Sequence, residues 1–168
     1  MTTIRVDLID VYVLRRAGPA LEVLALRRGT GGRCPGSWET VHGHIEPGET
    51  PAAAAQRELH EETGYRPVRL YNLSRVETFY MHGPDAVSLV PVFVAFVSGA
   101  EVRLGSEHDA AEWLPMDAAR KRFAWPRERR ALEDIEILLA GGDAGAVEDV
   151  LRVARDARGM GDDPNGTE

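Results

Sequence analysis

The sequence predicts a single α+β domain, and three observations indicate this class. Alternating apolar residues typical of β-strands dominate the first part of the chain. One helix with clear start and stop signals interrupts the strands, and apolar residues at helical spacing dominate the last third. A chain of 168 residues can bury one sizeable core but is short for two. We expect one domain over residues 1–158 and a disordered tail over residues 159–168.

The first strands form a predicted hairpin. Apolar residues alternate with polar ones over residues 4–13 but change parity near Ile9, which predicts one long strand or a strand with a bulge. Residues 21–26 predict the hairpin partner, across a turn at residues 17–19.

Two loops and a short strand are expected next. Residues 27–36 are basic and contain five residues that break regular structure, so they predict a Gly-rich loop. A short strand is expected over residues 38–41. Residues 43–49 predict a second loop, because Pro47 and Gly48 disfavour regular structure.

The first helix is predicted at residues 51–63. Thr50 is a residue type that caps helix N-termini, Pro51 suits the first helical position, and Gly64 is typical of the residue that ends a helix. Four alanines follow the proline and favour a helix.

The remainder predicts three strands followed by three helices. The strands lie over residues 68–78 and 88–97, with a short one ending at residues 113–114. The strand at 88–97 is apolar enough to be buried on both faces. The helices are predicted over residues 117–123, 128–140 and 144–157.

Composition excludes several classes of protein. Twenty basic residues against 27 acidic ones give a net charge of −7, which argues against nucleic acid as a partner. The single Cys34 cannot form an internal disulfide, which fits a reducing, cytoplasmic setting. The longest apolar run, residues 87–97, is too short to span a bilayer, so we expect no membrane segment. The oligomeric state is open, with a homodimer as one alternative.

Three glutamates on the first helix are the most informative residues. Glu58, Glu61 and Glu62 are spaced i, i+3 and i+4, so their carboxylates emerge on one side of the helix. Like charges at this spacing destabilise a helix by roughly 0.2–0.5 kcal/mol per pair, and a bound divalent cation would reverse that effect. Clustered oxygen ligands suit Mg²⁺ or Mn²⁺. The alternative is a solvated acidic face without a ligand.

The segment around these glutamates resembles the Nudix box, G-x5-E-x7-R-E-U-x-E-E-x-G-U, where U is an apolar residue. It begins at Gly43, places Glu49 at the first acidic position, and ends at Tyr65. All seven fixed residues match. Tyr65 stands where an aliphatic residue is usual, a change that affects packing more than chemistry.

The resemblance implies an α/β/α sandwich with a mixed sheet and a loop-helix-loop metal site. It implies that Glu58, Glu61 and Glu62 are metal ligands, together with the Gly43 carbonyl. The expected cofactor is Mg²⁺, with Mn²⁺ as an alternative.

The same resemblance assigns two further residues of the box. It implies that Arg57 and Glu49 form an ion pair that fixes the loop against the helix. The alternative is an ordinary surface pair that contributes little.

Family members hydrolyse a nucleoside diphosphate linked to another group. A metal-bound water attacks phosphorus and a carboxylate takes its proton. Candidates for that base are Glu58 and Glu61 in the box, and Glu107. The order E-H-x4-W-L that begins at Glu107 resembles a segment of the branches that cleave dihydroneopterin triphosphate, deoxynucleoside triphosphates and dinucleoside tetraphosphates. A glutamate in a polar loop before a strand is the alternative.

Candidates for substrate binding lie before the box. Trp38 could stack on a base, although tryptophan is more often a core residue. Arg27, Arg28 and Arg33 could hold terminal phosphates, or could be solvated loop charges.

The predicted function is a Mg²⁺-dependent pyrophosphohydrolase. It would cleave a nucleoside or pterin triphosphate to a monophosphate and pyrophosphate, so the expected partner is a small nucleotide or pterin phosphate. Hydrolysis of dinucleoside polyphosphates, ADP-ribose or nucleotide sugars is the first alternative. A nucleotide-binding regulator without catalysis is the second, and the complete set of box carboxylates argues against it.

Overall fold

In the part of the chain that the structure describes, eight strands form one mixed sheet with helices on both faces. The computed structural model describes residues 1–99 and 101–153. The strands are β1 (Thr3–Arg5), β2 (Leu8–Ala17), β3 (Ala20–Arg28), β4 (Trp38–Glu39), β5 (Val41–His44), β6 (Arg69–Met81), β7 (Ala86–Phe96) and β8 (His108–Pro115). The helices are α1 (Pro51–Thr63), α2 (Met116–Arg122), α3 (Pro126–Leu139) and α4 (Glu148–Leu151), with a 3₁₀ turn at Gly145–Val147.

Strand β7 lies inside the sheet and mixes both kinds of pairing. It pairs antiparallel with β6 on one side and parallel with β1 and β2 on the other. Strand β2 continues the sheet through antiparallel pairs with β3 and β5, and β3 pairs antiparallel with β4 and β8. The sheet is therefore mixed, as the fold class predicted.

Each face of the sheet has its own hydrophobic core. Alternate residues of β2 point to opposite faces, so Val11 lies in the core beneath α1 while Tyr12 lies in the core beneath α2 and α3. Helix α1 contributes Leu59 to the first core, and α3 contributes Leu132 to the second. Two helical layers around one sheet make an α/β/α sandwich, which confirms the predicted architecture.

The first predicted strand is two strands in the structure. Residues 4–13 were expected to be continuous, but β1 ends at Arg5 and β2 begins at Leu8. The alternation of apolar and polar residues changes phase near Ile9, shortly after this break. Strand β1 pairs with the start of β7 and β2 with its end, so the chain steps from one segment of β7 to the other. This long-range pairing leaves no local signal beyond the parity change.

Two predicted loops begin later than expected. Strand β3 extends to Arg28, because β8 continues to pair with it as far as His108. Strand β5 includes Gly43 and His44, because β2 pairs with both. The expected boundaries at residues 27 and 43 were therefore wrong, while the segments at 29–36 and 45–49 lack helix or strand structure.

The last predicted helix is much shorter than expected. Instead of one helix from residue 144, the chain forms the 3₁₀ turn and α4, and then the Val153 amide donates to the Leu70 carbonyl. This contact with β6 draws the chain towards the sheet and ends the helix. Residues 154–157 of the predicted helix, the tail at 159–168 and the domain boundary at 158 lie outside the described residues.

Within residues 1–99 and 101–153, no helix is both long and apolar enough to cross a membrane. The expectation of a cytoplasmic location stays a prediction.

Buried Glu128 joins the start of α3 to the sheet. Its side chain accepts hydrogen bonds from the backbone amides of Thr40 (2.8 Å) and Trp125 (3.2 Å). Burial raises the pKa of Glu128 to about 8, although both amides and Arg127 favour the ionised form.

This raised pKa makes stability depend on pH. The folded chain holds the Glu128 proton more tightly than the unfolded chain. Protonation of Glu128 therefore stabilises the fold fully below pH 4.5, and this stabilisation is lost as pH rises towards about 8. Between these values we expect the free energy of unfolding to fall by up to about 1.4 kcal/mol per pH unit. Urea titrations of wild type and Glu128→Gln, without metal, measure this.

The comparison between the two proteins isolates Glu128. The pKa of Glu62 is also raised, with the same sign, but that contribution is common to both proteins. Glutamine resembles the protonated carboxyl and does not titrate. The free energy of unfolding of wild type minus that of Glu128→Gln should therefore fall as pH rises towards about 8. Parallel curves from pH 5 to 8 would contradict the assignment.

Candidate active site

Helix α1 carries the predicted carboxylates to one end of the sandwich. The Thr50 hydroxyl accepts from the Ala53 amide (3.2 Å) at the start of the helix, and Gly64 ends it with a φ of 75°. Fully buried Leu59 fixes the helix against the sheet. These contacts determine how α1 is oriented. The side of the helix that carries Glu58 and Glu62 lies beside β5 and the loop after residue 102.

A cavity of about 450 Å³ lies at this end of the molecule. The predicted residues that line it are Arg28, Arg33, Gly43, Glu58, Glu61, Glu62 and Glu107. They come from four segments that are separate in sequence: the end of β3 with the loop after it, β5, α1, and the loop before β8.

Gly43 is required by the position of Glu58. A Cβ atom built on Gly43 would lie 2.0 Å from the Glu58 carboxyl carbon and 2.4 Å from its Oε1 atom. The absence of a side chain therefore lets Glu58 lie across the strand. There its Oε1 atom accepts from the His44 amide (3.1 Å).

Arg57 joins the loop after β5 to helix α1. Its guanidinium donates to both oxygens of Glu49, at 3.1 Å and 2.9 Å, and to the His44 carbonyl at 2.7 Å. It also donates to Glu58 (2.8 Å) and Glu61 (3.2 Å). The hydrogen bonds from Arg57 lower the pKa of Glu49. The ion pair implied by the family resemblance is present and belongs to a network that holds the loop on the helix.

Glu62 is the most buried of the three box glutamates. Its exposed fraction is 6% and its Oε2 atom is buried without a hydrogen-bond partner. Burial raises the pKa of Glu62 well above its usual value, and the charges of Glu58 and Glu107 raise it further. A buried carboxylate beside two other carboxylates is a group that a divalent cation would stabilise.

The donor set fits a hard cation, although the carboxylates do not enclose one as they stand. In the part of the chain that the structure describes, no three His, Cys, Asp or Glu side chains converge on one point. Glu58 and Glu61 hydrogen-bond to Arg57 instead. Both carboxylates nevertheless line the cavity beside Glu62, so small side-chain rotations would bring their oxygens to a shared ion.

Glu107 reaches the cavity on a loop that packs against the end of α1. The amides of Arg103 and Gly105 donate to the carbonyls of Thr63 (2.9 Å) and Glu62 (3.1 Å). Glu107 itself is solvent-accessible, with 60% of its side chain exposed. The loop therefore fixes the distance between Glu107 and the helix while leaving the carboxylate open to water.

Arg28 is buried rather than solvated. Only 7% of its side chain is exposed, and its Nη1 atom lies 2.8 Å from Glu107 and 3.3 Å from buried Glu39. Of the two predicted alternatives for Arg28, the solvated loop charge was therefore wrong. Two carboxylates already neutralise its charge.

The structure does not bring Trp38 and Arg27 to the cavity. Half-buried Trp38 packs on the core beneath α2 and α3, and the Arg122 guanidinium lies 4.7 Å from its ring centroid. Arg27 forms an ion pair with Asp109 at 2.6 Å. Neither residue lines the cavity of the box glutamates.

Sequence reasoning missed the buried polar residues that support the site. The Nδ1–H group of His42 donates to fully buried Asp10 at 2.5 Å, and Arg127 donates to the same carboxylate at 3.2 Å. Burial alone would raise the pKa of Asp10, but His42 and Arg127 hold it below its usual value. Asp10 interrupts an otherwise apolar strand, and this interruption was the available sequence signal for a buried polar residue. Buried Glu39 and His108 gave no comparable signal.

The sandwich and the glutamate-lined cavity define an α/β/α domain with an acidic cavity at one end of its sheet. The model of the NUDIX domain matches residues 5–135. The chain therefore belongs to the NUDIX family.

The relatives of this chain carry several names. The chain is 36% identical over 128 residues to an octanoyltransferase of Myxococcus xanthus, covering 74% of this chain and 35% of that protein. It is 36% identical over 95 residues to an 8-oxo-(d)GTP phosphatase of Mycolicibacterium smegmatis, covering 56% and 29%. It thus spans about a third of these two relatives. It is 35% identical over 101 residues to the asymmetrical bis(5'-nucleosyl)-tetraphosphatase of Rattus norvegicus, covering 58% and 68%.

A solved structure agrees with the fold. The Ap4A hydrolase of C. elegans, solved as a binary complex, superposes with a TM-score of 0.69 at 24% identity, covering 82% of this chain and 99% of that chain. At this identity the likeness supports the sandwich and its connectivity.

Proposed function

We propose that this chain is a Mg²⁺-dependent pyrophosphohydrolase acting on a nucleoside or pterin triphosphate. The observation that carries the proposal is the cavity in which Glu58, Glu61 and Glu62 of α1 lie beside Glu107 of a separate loop. The family and the names of its relatives support hydrolysis of a nucleotide phosphoanhydride. A small nucleotide or pterin phosphate is the proposed partner, and the cytoplasm the proposed location.

In the proposed mechanism, residues 43–65 would bind the cation and Glu107 would accept the proton of the attacking water. Glu58, Glu61, Glu62 and the Gly43 carbonyl would hold Mg²⁺, and Arg57 would keep Glu49 and the loop in place. When bound, Mg²⁺ neutralises phosphate oxygens and lowers the pKa of a coordinated water. Glu107 is accessible to water and would take the proton. Glu58 and Glu61 remain alternatives for the base.

Chromatographic analysis of products tests this proposal. The panel contains deoxynucleoside triphosphates, dihydroneopterin triphosphate, diadenosine tetraphosphate, ADP-ribose and a nucleotide sugar, each with and without Mg²⁺. We expect Mg²⁺-dependent cleavage of a triphosphate to a monophosphate and pyrophosphate, lost in Glu61→Gln. Binding of nucleotides without turnover of any panel member would instead favour a regulator.

Dinucleoside polyphosphates are the second candidate substrates. The rat tetraphosphatase is 35% identical to this chain, and the match covers 68% of that protein. Preferential cleavage of diadenosine tetraphosphate in the same panel would favour this candidate over the triphosphate. Preferential cleavage of ADP-ribose or the nucleotide sugar would make that compound the favoured substrate instead.

Arg33 is the arginine that we assign to the substrate phosphates. Among the described arginines that line the cavity, Arg28 is paired with Glu39 and Glu107, whereas no carboxylate of a described residue forms an ion pair with Arg33. We expect Arg33→Gln to raise KM for the triphosphate by about tenfold, since a charge-assisted hydrogen bond contributes roughly 1.5–3 kcal/mol. Arg27→Gln is the matched control, because Arg27 lies outside the cavity. Equal effects of the two variants on KM would contradict the assignment.

A further inference from the structure

His108 is a buried polar residue directly behind Glu62. It is the first residue of β8, lies opposite Arg28 in the sheet register, and exposes only 1% of its side chain. Its Nδ1 atom lies 3.8 Å from the Oε2 atom of Glu62. Neither ring nitrogen has a hydrogen-bond partner, and the Glu62 Oε2 atom has none either.

An unpartnered donor and an unpartnered acceptor, buried side by side, are an unusual combination. A buried polar group without a partner destabilises a protein, because it has lost its hydrogen bonds to water and gained none in return. The distance of 3.8 Å is too long for a hydrogen bond but needs a shift of only about 1 Å to become one. A small rotation of the Glu62 carboxylate would satisfy both groups.

We propose that His108 is a positioning residue for Glu62. Its Nδ1–H group would donate to one carboxylate oxygen of Glu62 and leave the other oxygen directed at the cation site. This inference rests on the proposed metal site. A hydrogen bond from behind a ligand fixes the ligand's orientation and so strengthens metal binding.

Two other roles for His108 predict different behaviour. If the imidazole only fills space, an apolar residue of similar size should replace it without effect on metal binding. If the imidazole is itself a ligand, an amide nitrogen should not replace it. Asparagine carries an amide nitrogen near the Nδ1 position and can donate the same hydrogen bond. Leucine carries no donor.

The test is Mn²⁺ binding followed by electron paramagnetic resonance, without nucleotide. We expect His108→Leu to weaken binding by about 10- to 100-fold, the usual effect of losing the partner of a metal ligand. His108→Asn should stay within about threefold of wild type. Thermal unfolding without metal checks that both variants fold. Should His108→Leu fail to fold, His108→Gln replaces it, because its longer side chain moves the donor away from the Nδ1 position.

A double-variant cycle adds a readout that a structural role would not change. With Glu62→Gln in place, we expect His108→Leu to produce no further loss of Mn²⁺ affinity. Equal Mn²⁺ affinity of wild type and His108→Leu would overturn the inference, as would additive losses in the cycle. Absence of Mn²⁺ binding by the wild type would instead count against the proposed metal site.

Discussion

Alanine at position 43 is expected to abolish most of the hydrolytic activity while leaving thermal stability almost unchanged. The added Cβ would lie 2.0–2.4 Å from three atoms of the Glu58 side chain, so the two cannot coexist. These atoms belong to the far end of a flexible side chain, which can rotate away without moving the backbone. The strand therefore accepts alanine, and Glu58 leaves the cavity.

The loss of activity follows from the proposed metal site. Glu58 would no longer lie beside Glu61 and Glu62. We expect kcat/KM to fall by about 100-fold or more, because losing a residue that only orients a metal ligand already lowers metal affinity or activity by about 10- to 100-fold. The free energy of unfolding should change by less than about 1 kcal/mol, since alanine suits a strand better than glycine does.

Kinetics with a cleaved triphosphate and urea unfolding measure the two effects of Gly43→Ala. The matched control is Gly83→Ala, because a Cβ on Gly83 meets nothing within 4 Å. Gly43→Ala with kcat/KM near the wild-type value would show that Glu58 need not occupy its observed position.

The features that could be predicted from the sequence are those with local causes. Helix α1 was placed to the residue because Thr50, Pro51 and Gly64 act on the backbone beside them. The cluster of Glu58, Glu61 and Glu62 followed from helix geometry alone. These elements depend on neighbours in sequence, so the sequence contains their signals.

The missed features have long-range causes. The two ends of the Arg28–Glu107 contact are 79 positions apart, and no local pattern marks Arg28 as buried. The sequence predicts a loop at Arg28, but in the structure Arg28 is the last residue of β3. The pairing of β3 with β8 determines where β3 ends. The position of Trp38 away from the cavity also has a long-range cause. Arg122, at the end of α2, lies over its ring.

Alanine at position 105 is expected to reduce both stability and activity, in contrast to alanine at position 43. A Cβ on Gly105 would lie 2.8 Å from the Glu61 carbonyl oxygen and 3.4 Å from the Glu62 Cα atom. These atoms belong to the backbone of α1, which cannot yield without distorting the helix. The loop must move instead, and the Gly105 amide then loses its bond to the Glu62 carbonyl.

The displaced loop carries Glu107 with it, so the two effects have one cause. The free energy of unfolding should fall by about 1–3 kcal/mol, as overpacking usually gives. A misplacement of about 1 Å can lower kcat by about 100-fold. Urea unfolding and kinetics of Gly105→Ala measure these effects, with Gly141→Ala as a control because a Cβ there meets nothing within 4 Å. If Gly105→Ala lowers stability but leaves kcat unchanged, Glu107 does not act on the reaction, and the base must be sought among the box glutamates.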